Sequence, residues 1–467
     1  MRLIPLVAAL AVVPLVALPS AAAAQTSAAT DQPLLYTIAG EIQPDRMRAD
    51  ITTLVGFGTR HTLSEQMSDT RGIGAARRWA EARFRAMSTD CGGCLEIALP
   101  EDTVTGPRVP TPTRVVDVLA IQKGTGDPNR VIVISGHIDS RVTDVMNATS
   151  DAPGANDDAS GVAAVLEAAR VLSGHRFAAT LVYAVLSGEE QGLLGGKILA
   201  DYAAAQGWAV EANLNNDIVG NSEGQSSGGF PGVRDTTRVR VFSEGTKSVE
   251  TPEQAAVRRY NGGEVDSSSR NLARFIDGIA DRYLTNFDVE MVYRTDRFGR
   301  GGDQVEMLKA GFPAVRITEN AENYTRQHQD LRTENGIAYG DTIAGVDFGY
   351  LGQVARLNIV SMAALATAPS VPTGVTIEGA VSPDTTIKWT ASPGASGYRV
   401  WWRETTAPQW TDSRWAGDLG TLVLPNVAID DFFFGVSAVS ADGFESPIVY
   451  PGPAGAFASV APPVPAN

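Results

Sequence analysis

Val131-Ile-Val-Ile-Ser-Gly-His137-Ile-Asp139 decides the fold. Val131 to Ser135 is a short continuous apolar run with no polar alternation, the pattern of a strand covered on both faces. Outward from it, Gly161 to Leu172 spaces Val162, Val165, Leu166 and Ala169 as a helix does. Thr180 to Leu186 is a second buried strand, and Leu193 to Ala205 a second helix. Ala75 to Met87 reads as an earlier helix, and Asn213 to Val219 as another strand end. Beyond these come Arg238 to Phe242 (strand), Asn271 to Tyr283 (helix), Val305 to Ala310 (helix), Ala314 to Thr318 (strand) and a long helix around Val346 to Ala364. Strands alternating with helices predict an α/β domain over residues 45–366, a mostly parallel mixed sheet flanked by helices. Such sheets place ligands at the C-terminal ends of their strands.

The two ends of the chain read differently. Met1 and Arg2 precede an apolar run from Leu3 to Leu18, small residues fill Ser20 to Ala24, and polar residues start at Gln25. That is the layout of a secretory signal over residues 1–24, removed near Ala24, and it predicts a secreted or periplasmic protein. Residues 25–44 follow as the N-terminal segment of the mature chain, and no other run is long enough to predict a membrane span. At Ala368 the composition changes. A proline-punctuated linker, 367–372, leads to short alternating strands at Thr385 to Trp389, Gly397 to Trp402, Thr421 to Leu424 and Phe432 to Val439. These predict a small all-β sandwich over 373–453, with a disordered Ala- and Pro-rich tail over 454–467. A formal charge of −15 argues against nucleic acid as a partner. Cys91 and Cys94 are the sole cysteines, in Cys-Gly-Gly-Cys. With no second ligand pair nearby to complete a zinc site, an exported chain would join them in a local disulfide.

Five segments of the large domain place a metal-competent residue just after a strand. In Ser135-Gly-His137-Ile-Asp139, a carboxylate two residues after a histidine can hold its ring by hydrogen bonding. Asp157 and Asp158 lie between a glycine turn and a helix start, where one can cap the helix and the other can bridge two cations. Glu189 and Glu190 follow a buried strand, a costly placement unless a cation compensates them. Asp217 ends another apolar strand, and His328 sits in a polar loop after Val315 to Thr318. The chain has only 4 histidines, so finding two of them at strand ends is notable beside His61 and His175. A histidine and a carboxylate for each of two ions, plus one bridging carboxylate, is what a co-catalytic zinc pair requires.

In these motifs the sequence resembles the co-catalytic zinc aminopeptidases of metallopeptidase clan MH, in particular secreted bacterial leucyl-aminopeptidase-like members. The resemblance implies the zinc-exopeptidase fold, of phosphorylase/hydrolase type, and two Zn2+ per chain. By position it makes His137, Asp157, Glu190, Asp217 and His328 the metal ligands, with Asp157 bridging. Asp139 then orients His137, Asp158 is the neighbour in the Asp-Asp pair, and Glu189 is the general base that activates a hydroxide shared by the two ions. His61 would be structural or near the pocket, and His175 a surface residue. Two departures stand out. Gly302-Asp303-Gln304 occupies the place where many members have Ser-Asp-His, and Gln327 replaces a tyrosine before the last histidine. The oxyanion-stabilising group is therefore left open among Tyr324, Arg316 and Arg326. The C-terminal segment resembles a fibronectin type III module through Trp389, Tyr398 to Trp401 and Phe434 to Pro447.

The implied activity is removal of N-terminal residues from peptides or proteins. A carboxypeptidase, a dipeptidase or a one-zinc cyclase on the same scaffold is the nearest alternative, and Arg294, Arg297 and Arg300 keep terminal-carboxylate recognition open. A metal-free binding protein is the remaining one, with the sandwich touching a surface or polymer. The cluster of carboxylates argues against it, because without cations they would be left uncompensated.

Overall fold

The computed structural model describes residues 31–226 and 231–457. The expected leader over 1–24 lies outside the described residues, as do 25–30 and 458–467. Three helices come first: α1 (Pro33–Ala39), α2 (Pro44–Gly56) and α3 (Gly72–Asp90). Then follow β1 (Glu96–Ala98), a hairpin of β2 (Glu101–Gly106) and β3 (Val109–Val116), β4 (Val118–Gln122) and β5 (Asp127–His137). The α/β alternation is carried by α4 (Ala159–Leu172), β6 (Ala179–Leu186), α5 (Leu194–Ala205) and β7 (Ala209–Asn216). It continues through β8 (Arg238–Phe242), α6 (Pro252–Asn261), α7 (Ser268–Tyr283), β9 (Asp288–Val292), α8 (Gln304–Lys309) and β10 (Ala314–Glu319). A small hairpin of β11 (Arg332–Glu334) and β12 (Ile337–Tyr339) precedes the long α9 (Phe348–Thr367).

One sheet holds eight strands in the order β1-β4-β6-β5-β7-β10-β8-β9. Its middle, β6, β5, β7 and β10, is parallel, whereas β4 joins β6 and β8 joins β10 antiparallel. Helices cover both faces, which explains the unbroken apolar run. Ile132 and Ile134 point into the cluster built with α2, α4, α7 and α9, while Val131 and Val133 point into the one built with α5 and α8. Leu35 and Ile38 of α1 are buried in the first of these clusters. The α/β domain therefore begins ahead of residue 45, and the described part of the expected 25–44 segment belongs to its core. Just past α3, Cys91 and Cys94 form the expected disulfide.

The second unit contains β13 (Thr373–Glu378), β14 (Thr385–Thr390), β15 (Gly397–Glu404), β16 (Asp412–Gly417), β17 (Thr421–Leu424) and β18 (Phe432–Val439). Two antiparallel sheets, β13-β14-β17 and β16-β15-β18, share one core of Trp389, Tyr398, Val400, Phe434 and Val436. The expected tail is corrected at its start. Of 454–467 the structure describes 454–457, and Phe457, 2% exposed, packs in that core because its ring is the apolar group available to close it. The expected linker is also tied down, since the Val371 N–H donates to Glu211 Oε1 at 3.3 Å. A buried Arg403 of β15 donates to both oxygens of Asp266 at 2.7 and 2.9 Å, fastening the sandwich to the α/β domain beside α7. Among the described residues, no helix is long and apolar enough to cross a membrane.

Candidate metal centre

Parallel pairing of β6, β5 and β7 brings their C-terminal ends to one side of the sheet. His137 is the last residue of β5, Glu189 and Glu190 follow β6, and Asp217 follows β7. Asp157 arrives from the loop that enters α4, and His328 from the loop after β10. These residues fall into two groups whose ligand atoms could each hold one cation: His137, Asp157 and Asp217, and Asp157, Glu190 and His328. Asp157 belongs to both. Its Oδ1 lies 3.3 Å from His137 Nε2, and its Oδ2 lies 2.9 Å from His328 Nε2. Glu190 Oε1 is 3.0 Å from the same His328 nitrogen, and Asp217 Oδ1 is 3.9 Å from His137 Nε2.

A frame of hydrogen bonds sets this arrangement. Asp139 Oδ1 accepts from the N–H groups of Gly188 and Glu189 at 2.9 and 3.2 Å, and its Oδ2 from Glu190 N at 3.1 Å and Thr62 Oγ1 at 2.9 Å. The acid expected to orient His137 thus also shapes the turn that presents both glutamates. Asp158 accepts from His137 N at 3.0 Å and from Gly161 N at 2.9 Å, so it caps α4 and anchors the end of β5 together. The buried Arg60 donates to Ile138 O, Pro153 O and Gly154 O, tying the His137 strand end to the Asp157 loop. Asp341 accepts from Asp157 N at 2.7 Å.

Electrostatics follow from burial and proximity. Burial opposes a charge on His137, but Asp139, Asp157 and Asp217 outweigh it and hold the imidazole well above its ordinary pKa. Burial likewise opposes charge on Asp157, yet His328 and His137 hold it well below the usual carboxylate range. Asp217 is lowered against burial by Arg316 and His137. Glu189 is pushed well above its ordinary value, chiefly by burial. His328 is raised to about 10, because Glu190 and Asp157 overcome the burial that would lower it.

These residues fit metal ions. His137 Nε2 and Glu190 Oε1 are buried without a hydrogen bond among the described residues, an expensive state that a cation would relieve. Arg141 Nη2 lies 2.7 Å from His328 Nδ1, and His328 Nε2 sits 2.9 and 3.0 Å from the carboxylates of Asp157 and Glu190. Imidazole nitrogens with carboxylate oxygens are the donor set of zinc and its borderline neighbours.

Comparison with known proteins agrees. Residues 117–343 match Peptidase family M28. A probable zinc metalloprotease of Leptosphaeria maculans is 46% identical over 88% of this chain and 95% of its own length. Another, from Pyrenophora teres, is 44% identical over 90% of this chain and 87% of its own. The chain belongs to Peptidase family M28. Among solved structures, the LapA aminopeptidase of Legionella pneumophila superposes with a TM-score of 0.51 at 17% identity, over 73% of this chain and 76% of that one. At that identity the likeness speaks for the M28 fold alone.

In this M28 peptidase four of the five expected ligands, Asp157, Glu190, Asp217 and His328, line one cavity of about 330 Å³ with Glu189, and the buried His137 stands behind Asp157 and Asp217. Tyr324 does not. It is 57% exposed and absent from the cavity lining, because the loop turns its ring outward, and Gln327 faces the cavity instead. Arg326 is engaged elsewhere, with Asn221 Oδ1 and Gly345 O. Arg316 is fully buried against Asp217. Gln304, in the place of a common histidine, donates to Asp296 Oδ2 at 2.6 Å. His61 lies behind the Asp139 network, contacting Val145 O and Gln191, while His175 pairs with Glu41 away from the cavity. Sequence reasoning missed Arg141, which donates to Glu190 Oε2 at 2.8 Å as well as to His328. A cation two residues beyond His137-Ile-Asp139 was the available signal. For Asp341, a single acid in a loop, there was none.

Proposed function

We propose that this M28 peptidase is a secreted aminopeptidase that carries two zinc ions and removes N-terminal residues from peptides or proteins. The observation that carries the reading is the double exposure of Asp157, one oxygen toward each histidine-containing group. One ion would be held by His137, Asp157 and Asp217, the other by Asp157, Glu190 and His328. Bound there, the ions supply Lewis acidity to polarise a peptide carbonyl and to acidify water. Glu189 takes the proton from the attacking water and returns it to the departing amine, and its buried carboxyl suits a group that must hold a proton between steps. Asp139 Oδ1 accepts from the N–H groups of Gly188 and Glu189, so the turn that carries the base stays fixed while it cycles. Arg141 occupies one oxygen of Glu190 and leaves the other to a ligand role.

The leader-like residues 1–24 support export, and the strand pairing of the C-terminal unit supports a fibronectin type III-like sandwich. Its docking on Asp266 favours a brace over a detachable appendage, with any surface or polymer contact left to its outer strands. The test compares leucine p-nitroanilide with its N-acetyl form, using zinc-loaded protein. Cleavage of the free amine alone supports the proposal. Hydrolysis confined to N-acetyl-Leu-Leu, a blocked peptide with a free C-terminal carboxylate assayed beside them, would favour a carboxypeptidase, and glutamine cyclisation without hydrolysis a cyclase.

A further inference from the structure

The cavity wall carries four arginines, Arg108, Arg141, Arg297 and Arg300, on a chain whose formal charge is −15. The wall also holds four carboxylates, Asp157, Glu189, Glu190 and Asp217. Asp157, Glu190 and Asp217 are committed to the ligand groups, and of the four arginines only Arg141 pairs closely with one of them, Glu190 at 2.8 Å. Arg297 pairs with Asp296 at 3.2 Å and reaches Asp217 at 4.0 Å, and it shares Glu322 with Arg300 at 3.5 and 3.2 Å, while Arg240 takes the same carboxylate at 2.6 Å. Three guanidinium groups thus converge on one carboxylate. The Arg297 side chain is 8% exposed, and its buried Nη1 makes no hydrogen bond among the described residues. Arg108 reaches over from the β2–β3 hairpin and donates to Glu190 O at 3.0 Å, with no ion pair to any carboxylate among the described residues. Guanidinium groups offer paired donors shaped for a carboxylate, and Arg108 and Arg300 present theirs at the exposed mouth of the cavity, with the buried Arg297 side chain deeper in.

We infer that this cavity selects substrates carrying a carboxylate close to the scissile bond, bound by Arg300 and Arg108 with Arg297 behind them. The inference rests on the peptidase reading above and adds a substrate class to it: short peptides with an acidic residue at their N-terminus or second position, or dipeptides whose own C-terminal carboxylate falls there. A neutral residue with only a free amine would gain nothing from these side chains.

Three matched pairs distinguish the sources on the zinc-loaded full chain: Glu-Ala against Gln-Ala, Ala-Glu-amide against Ala-Gln-amide, and Ala-Ala against Ala-Ala-amide. The acid is expected to exceed its neutral partner in kcat/KM by roughly 10- to 100-fold in at least one pair, as charge-assisted hydrogen bonds imply. That ratio should collapse toward one in Arg300→Gln or Arg108→Gln. Calorimetric binding of the same pairs to zinc-loaded Glu189→Gln gives the ranking independently of turnover. Ratios near one for all three pairs in both assays overturn the inference, as does a preference unchanged in both arginine variants. Cleavage of neutral free-amine peptides with ratios near one removes the carboxylate reading and leaves the aminopeptidase standing. The N-acetylated form of each pair is run alongside, and a carboxylate preference seen only there keeps the inference and removes the aminopeptidase.

Discussion

Arg316 Nη1 stands 2.5 Å from Asp217 Oδ2, with the guanidinium fully buried. The partner takes one oxygen of Asp217 and leaves the other, Oδ1, facing His137 Nε2. Groups that orient a ligand in this way typically contribute roughly 10- to 100-fold to metal affinity. Arg316→Met should therefore weaken zinc in the His137 group by about that factor and spare the Glu190–His328 group. Stepwise zinc titration against a competing chelator reads this as one weakened site. Equal weakening of both, or of neither, would contradict it.

Asp341 makes the complementary prediction. It accepts from the N–H of Asp157, the residue common to both groups, and from Asn156 N. Asp341→Ala should lower both zinc affinities together, again by roughly 10- to 100-fold. Loss at a single site would show that Asp157 is not shared.

A third expectation concerns the sandwich. Arg403 and Arg274 both bind the buried Asp266, and Arg403 crosses between the two units. Arg403→Met strips one partner from a buried pair, a change that costs about 3–5 kcal/mol when no other partner remains. Arg274 remains, so the lower end of that range is expected. Denaturant unfolding followed by tryptophan fluorescence should show the loss, and an unchanged midpoint would mean that the sandwich stabilises nothing beyond itself.

The α/β domain was legible because its central strands are covered on both faces, so Val131 to Ile134 shows no alternation and the ligands fall at predictable strand ends. What was hidden depends on distant pairing. α1 has only 7 residues, too short to reveal a period, yet Leu35 and Ile38 are buried by a helix more than three hundred residues away. Phe457 looked like part of a disordered Ala- and Pro-rich tail because one aromatic ring carries no pattern. Tyr324 was one of three candidates, for its chemistry and its closeness to His328, but closeness along a loop does not fix which way a side chain turns.

Stability should also carry a pH signature at Glu244, which burial pushes from 4.5 to about 7 against the help of Ser248 and Lys247. The folded state then binds more protons than the unfolded one between those values, so this group makes stability fall as pH rises through that window. The contribution is on the order of 3 kcal/mol. Glu244→Gln should flatten the decline of Tm between pH 5 and pH 8 (the range that spans the window, roughly). Identical slopes for the two proteins would show that Glu244 keeps an ordinary pKa.

The central claim is a two-zinc site served by Glu189, and elemental analysis of Glu189→Gln beside the unchanged protein, both assayed on leucine p-nitroanilide, tests it most directly. Two zincs per chain in both proteins are predicted, with hydrolysis reduced in the variant by about 10²- to 10⁴-fold, the usual share of a general base. One zinc or none in the unchanged protein, or undiminished hydrolysis by the variant, would contradict the account.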